Sequence, residues 1–162
     1  MKRKTFGEMQ CPIARGLERV GDWWSILILR EAFYGLSRFD EFQASLGIAT
    51  NTLARRLKTL VEAGLLERRR YSEHPPREDY LLTARGRDFR PVLLALTAWG
   101  NRHFAPEGHS IELVDAETGA PLEPVVVDAA TGRPLLPGRS RVVAGPAANE
   151  AMRRRLAERP SF

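Results

Sequence analysis

The residues best suited to chemistry lie between positions 50 and 58. Thr50, Asn51, Thr52, Arg55, Arg56 and Lys58 bring hydroxyl, carboxamide, guanidinium and ammonium groups into one short stretch. They suit the reading of base-pair edges in duplex DNA. Asn pairs bidentately with adenine, Arg with guanine, and a Thr methyl can meet the methyl of thymine. Lys58 and one of the arginines suit phosphates, which orient a protein on DNA without carrying sequence information. Arg38 upstream joins them as a candidate contact, as do His74 and Arg77 downstream. Arg68-Arg69-Arg70 would brace the chain leading to those two. The alternative reading is bland: a polar helix face is commonly just solvated, and a basic triplet commonly serves solubility.

Other chemistries have less material. The chain has one cysteine, Cys11, and three histidines, too few for a structural zinc site. It shows no glycine-rich phosphate loop and no recognisable nucleophile–base pair, so the expectation is a non-enzyme without cofactor or metal. Cys11 stands directly before Pro12, a residue suited to a first helical position. Amide dipoles at a helix start favour an anion, which would suit a thiolate, and Arg15 is near in sequence. Cys11 is therefore either a redox-sensing thiol or a small packed residue.

Positioning falls to five helices and a hairpin. Ile13, Leu17 and Val20 share one helical face; Gly21 ends that helix, and Asp22 can cap the next, carrying Trp24, Leu27, Ile28 and Phe33. Trp23 and Trp24 divide between core and a small-molecule pocket, or are both packing. Ser37-Arg38-Phe39-Asp40 resembles a capping box and opens a short helix stopped by Gly47. A helix from about Thr50 to Ala63 carries Leu53, Leu57, Leu60 and Val61 inward, leaving the polar set outward, and Gly64 ends it. Leu65–Tyr71 and Asp79–Leu82 read as strands about a loop, Ser72–Glu78, of which Ser72–Arg77 would be the wing. Thr83 caps one long helix to Phe104, with Phe89, Leu93, Leu96, Trp99 and Gly100 along one side. That side presents more apolar surface than one small domain covers, so a two-fold homodimer is expected, reading half-sites of an inverted-repeat operator about one helical turn apart.

The architecture expected is mainly α with a small β-hairpin wing, a winged helix-turn-helix, plus a short C-terminal β-rich appendage. The divisions expected are an arm over 1–10, the DNA-binding and dimerisation domain over 11–105, a β appendage over 106–137 and a flexible basic tail over 138–162. The appendage contains a repeat, Asp115-Ala-Glu-Thr-Gly-Ala-Pro-Leu122 and Asp128-Ala-Ala-Thr-Gly-Arg-Pro-Leu135, read as two tight turns flanking short strands around Val125-Val126-Val127. Charge follows the division: residues 1–105 hold 18 Lys/Arg against 12 Asp/Glu, and 106–162 hold 7 against 8. A basic body favours a polyanion, though an excess this mild discriminates little. No apolar run reaches the ~20 residues of a membrane helix, and no signal core follows the charged N-terminus, so no membrane partner and a cytoplasmic location are expected.

The motifs resemble the HxlR-type transcriptional regulators. The resemblance is carried by Cys11-Pro12-Ile13-Ala14, Leu17, Gly21, Trp24, Ile28, Leu29-Arg30, Gly35, Arg38-Phe39 and Phe42. It continues through Leu53, Arg56-Leu57, Leu60, Gly64-Leu65, Arg68, Tyr71, Pro75, Tyr80, Leu82-Thr83 and Gly86. It covers about residues 10–105 and implies a bacterial, cofactor-free, dimeric winged helix-turn-helix that binds double-stranded DNA, many such proteins being repressors. In some members the cysteine matching Cys11 senses oxidants or electrophiles, sometimes through an intersubunit disulfide. The signal here is an oxidant or a small molecule on that reading. Ala49 departs from the usual polar cap, so Thr50 is expected to cap instead. The repeat resembles Cys-x-x-Cys-Gly knuckles of a zinc ribbon with every cysteine absent: either a metal-free remnant or two unrelated turns. A winged-helix adaptor that binds protein without sequence-specific DNA recognition is the alternative function.

Overall fold

The computed structural model describes residues 6–158. They fall into two compact units, one running through Leu93 and one from Leu94. The first holds α1 (Pro12–Val20), α2 (Trp23–Phe33), α3 (Phe39–Leu46), α4 (Thr50–Glu62), the strands β1 (Leu66–Glu73) and β2 (Pro76–Leu82), and α5 (Ala84–Arg87). α6 (Arg90–His103) starts in it and continues into the second, which also holds α7 (Glu150–Ala157). Three helices, a steep turn into a fourth and a two-stranded antiparallel hairpin make a winged helix-turn-helix. The parts of the arm and tail at residues 1–5 and 159–162 lie outside the described residues.

The core of the first unit is set by helical spacing. Ile28 and Leu29 of α2, Phe42 of α3, Leu53, Leu57 and Leu60 of α4, and Leu66 of β1 are buried together. Each such side chain contributes roughly 1.5–3 kcal/mol by leaving water. α4 sends three of them inward, so its opposite face is committed to solvent. Asp22 caps α2 by accepting from the Ser25 N–H at 3.1 Å. Gly47, at φ 59°, ends α3 and turns the chain sharply toward α4.

Several local expectations are corrected. α3 is not opened by Ser37: its N-cap is Arg38, and Glu41 reaches back to accept from the Arg38 and Ser37 N–H groups at 2.9 and 3.1 Å. The Ser37 hydroxyl goes instead to Asp79 Oδ1, at 2.9 Å. The long helix expected from Ala84 is broken between Arg87 and Arg90. Pro91 has no N–H for the Arg87 carbonyl, and its ring would clash there, so the chain restarts as α6. The wing loop shrinks to His74-Pro75, because β1 extends to Glu73 and β2 begins at Pro76, where a proline is tolerated as the first residue of a strand. On the face of α1 that Ile13, Leu17 and Val20 share, Val20 is buried while Ile13 and Leu17 are 72% and 53% exposed, which the expectation of a shared face leaves open.

In the second unit the sequence repeat is a structural repeat. Asp115 Oδ1 accepts from the Thr118 N–H (2.8 Å) and hydroxyl (2.9 Å). Asp128 Oδ2 accepts from the Thr131 N–H (3.2 Å) and hydroxyl (2.6 Å). Gly119 and Gly132 take φ of 68° and 67° at the ends of these turns. The Thr118 and Thr131 hydrogen bonds hold both carboxyls below the ordinary carboxylate range. The strands expected around Val125–Val127 reduce to single bridges, Val114 to Pro121 and Val127 to Pro134. The tail is not irregular throughout: Asn149 caps α7 by accepting from the Met152 N–H at 2.9 Å, and Arg153 donates to the Ala148 carbonyl at 3.0 Å.

Candidate nucleic-acid interface

The reading surface is the outward face of α4. Successive helical residues turn by about 100°, so Asn51, Arg55 and Lys58 cluster opposite Leu53, Leu57 and Leu60. All three are exposed. Thr50 is exposed at the first helical position and Thr52 is half-buried. Ala49 is the N-cap and supplies no side-chain cap. The expected substitute, Thr50, does not cap either: its hydroxyl accepts from Gln43 Nε2 at 2.8 Å, a clamp from α3 across the turn. Gln43 was not a sequence candidate; its role depends on where α3 and α4 cross.

Arg56 is the clear departure from the expected outward set. Its side chain is 16% exposed, and its Nε lies 3.1 Å from Asp22 Oδ1 at the start of α2. It is turned away from the Asn51–Arg55–Lys58 face. On the same 100° count it falls only about 40° from Leu60, a placement the spacing does contain.

The wing is tied to α3. The Tyr80 N–H donates to the Ser37 carbonyl at 2.7 Å, beside the Ser37–Asp79 bond. The register shift between Arg70 and Ser72 leaves Tyr71 as an extra residue on β1. Its ring lies under Arg38, with the guanidinium carbon 5.0 Å from the ring centre, and Arg38 also stands 4.0 Å from Asp79. Tyr71, too, was not a sequence candidate, since only the bulge brings it there. His74 occupies the exposed wing turn and Arg77 is exposed on β2. Arg68 pairs with Glu78 at 3.4 Å and Arg70 with Glu73 at 3.1 Å. Among the described residues Arg55, Arg69 and Arg77 have no carboxylate within salt-bridge distance, and Lys58 has only Glu62, 3.8 Å away. Cations without partners are the ones that can neutralise phosphates.

The sequence profile of the HxlR-like helix-turn-helix proteins matches residues 19–108. The chain belongs to the HxlR-like helix-turn-helix family. It is thus a transcriptional regulator of the helix-turn-helix type. An uncharacterised HTH-type regulator of Mycobacterium bovis is 42% identical over 71% of this chain and 73% of its own length. A proposed transcription factor of Pseudomonas aeruginosa is 57% identical, with a TM-score of 0.65 over 90% of this chain and 100% of that one. A second proposed transcription factor is 40% identical, with a TM-score of 0.78 over 88% and 100%. The redox regulator HypR, solved in an oxidised form, is 32% identical, with a TM-score of 0.52 over 57% and 97%.

The remaining candidates of this HxlR-like chain are dispersed. Cys11 is the half-buried N-cap of α1 and its side chain makes no cap bond. Arg15, expected to support it, donates instead to the Met9 carbonyl at 2.7 Å. Of the proposed dimerisation residues, Phe89 packs against the core of the first unit. Leu93 and Gly100 are half-buried, whereas Leu96 and Trp99 are 43% and 52% exposed. No helix among the described residues is long and apolar enough to cross a membrane.

Proposed function

We propose that this regulator is a homodimeric, sequence-specific repressor that binds inverted-repeat operators in the cytoplasm through α4 and the wing. One observation carries the proposal: Asn51, Arg55 and Lys58 share the exposed face of a helix whose other side is fixed in the core by three leucines. Thr50, Asn51, Thr52 and Arg55 are the readers. Lys58, Arg38, His74 and Arg77 are the backbone contacts. Arg56 is withdrawn from this list. The apolar side chains exposed on α1 and α6 support pairing with a second copy, which would set two reading helices about one DNA turn apart.

The test is selection of genomic fragments on the purified protein, followed by affinity measurement. Each of Asn51→Ala and Arg55→Ala should cost about 1–3 kcal/mol on the selected operator and relax its preference at one position. Lys58→Ala should weaken all sequences alike. Preference that survives the Asn51/Arg55 double change overturns α4 as the reader. Salt-sensitive binding with no preferred sequence would instead mark an adaptor.

A further inference from the structure

α4 carries one charge that base reading does not use. The Arg56 Nε is buried 3.1 Å from Asp22 Oδ1, a charge contact without hydrogen-bond geometry, and the Asp22 side chain is itself only 19% exposed. Asp22 is not free to follow Arg56 outward. Its two oxygens also accept from the Ser25 N–H (3.1 Å) and the Ser25 hydroxyl (2.7 Å), and Ser25 is fully buried. The residue before it has no slack: the Gly21 N–H donates to the Leu17 carbonyl at 2.6 Å, and a Cβ at Gly21 would stand 2.2 Å from that oxygen. One carboxylate therefore links the start of α2 to the inner edge of the reading helix, one residue beyond the end of α1 at Gly21. A partly buried pair like this is screened little by salt, and breaking it strands a charge.

We propose that Arg56 is a positioning residue for DNA recognition rather than a DNA contact: its ion pair with Asp22 sets how α4 is seated on the α1–α2 elbow, and so the angle at which Asn51 and Arg55 meet the bases. This rests on the reading of α4 given under Proposed function. The pair also fixes what may change at either end. With its Nε on Asp22 and its side chain 16% exposed, Arg56 is turned from the face shared by Asn51, Arg55 and Lys58, and a shift of the elbow would be felt at the reading helix.

The two roles predict opposite signs for one substitution. Asp22→Asn keeps a good helix cap but removes the negative charge. If Arg56 were a phosphate contact held back by Asp22, this change would free it and tighten binding. If Arg56 positions α4, the change weakens binding. The experiment uses the full chain and the operator selected by the native protein, with affinity measured across a salt series. Expected are a roughly tenfold loss of operator affinity in Asp22→Asn and in Arg56→Met, a double variant no worse than either single one, and unchanged affinity for unselected DNA. The salt slope should also stay as in the native protein, since no phosphate contact is lost. Unchanged or tighter operator binding by Asp22→Asn overturns the proposal, as does a slope reduced by about one in Arg56→Met. Should Asp22→Asn fail to fold, Arg56→Met decides through its slope and its operator preference. A native chain that selects no sequence overturns the regulatory reading, and the positioning role falls with it; native selection with an indifferent Asp22→Asn overturns only the pair.

Discussion

A signal carried by a thiol would enter at Cys11, the one cysteine of the chain. It is the N-cap of α1, half-buried, and α1 turns Ile13 and Leu17 outward. A modification there acts on the helix that the dimer proposal uses. A chain with one cysteine restricts the form that a thiol modification can take. No intrachain disulfide can form; what is left is a disulfide between two copies, a mixed disulfide, or an adduct. Mild oxidant should release operator DNA from the native protein but not from Cys11→Ser. DNA release would be followed by anisotropy and the covalent state by mass under non-reducing conditions. Identical release from both proteins removes the sensor role and leaves Cys11 as packing.

At the scale of elements, the helix-turn-helix is held at its joints. The start of α3 is one such joint: Glu41 takes two backbone N–H groups, while Ser37 and Asp79 bind α3 to the wing. The Arg38 and Ser37 backbone hydrogen bonds hold the Glu41 carboxyl below its ordinary value near 4.5. A lowered carboxyl contributes stability that is present above its unfolded pKa and is lost as pH falls through the folded one. Glu41→Gln should therefore unfold at lower urea than the native chain at pH 7. The gap should persist down to about pH 4.5 and close below it. A gap that is the same at pH 7 and pH 3 would show that the carboxylate charge contributes nothing. The elements themselves were legible because spacing is a direct record of burial: Leu53, Leu57 and Leu60 can face the core only if Asn51, Arg55 and Lys58 face out. The joints were not legible. Gln43 finds Thr50, and Tyr71 finds Arg38, through crossings and a bulge that have no signature along the chain. Arg56 lies between these cases: the leucine phase places it near the inner edge of α4, and its charge argued against that placement until Asp22 supplied a partner. The break at Pro91 was written in the chain, but a continuous apolar stripe from Phe89 to Trp99 masked it.

For the whole molecule the open question is what covers the apolar side chains of α1 and α6. Ile13 and Leu17 on α1, and Val92, Leu96 and Trp99 on α6, all stand largely in water in the single chain. Exposed apolar side chains on each of these helices support the proposed pairing with a second copy. Phe89 and Leu96 were assigned to one dimerisation stripe, yet the fold separates them. Phe89 packs on the first unit's core and Leu96 faces solvent. Their substitutions should therefore part company. Phe89→Ala should cost folding stability, about 2 kcal/mol, less than the ~3–5 of a fully buried phenylalanine, and should lower the thermal midpoint while leaving the oligomeric state intact once folded. Leu96→Glu sits on the surface, so its folding stability should change by no more than ~0.5 kcal/mol. It should nevertheless shift the chain from dimer to monomer in sedimentation. Losing one of two linked half-site contacts should weaken binding to the full operator on the order of 10²–10⁴-fold and leave binding to an isolated half-site unchanged. A Leu96→Glu protein that sediments as the native one does, with full operator affinity, would place the dimer contact elsewhere than α6.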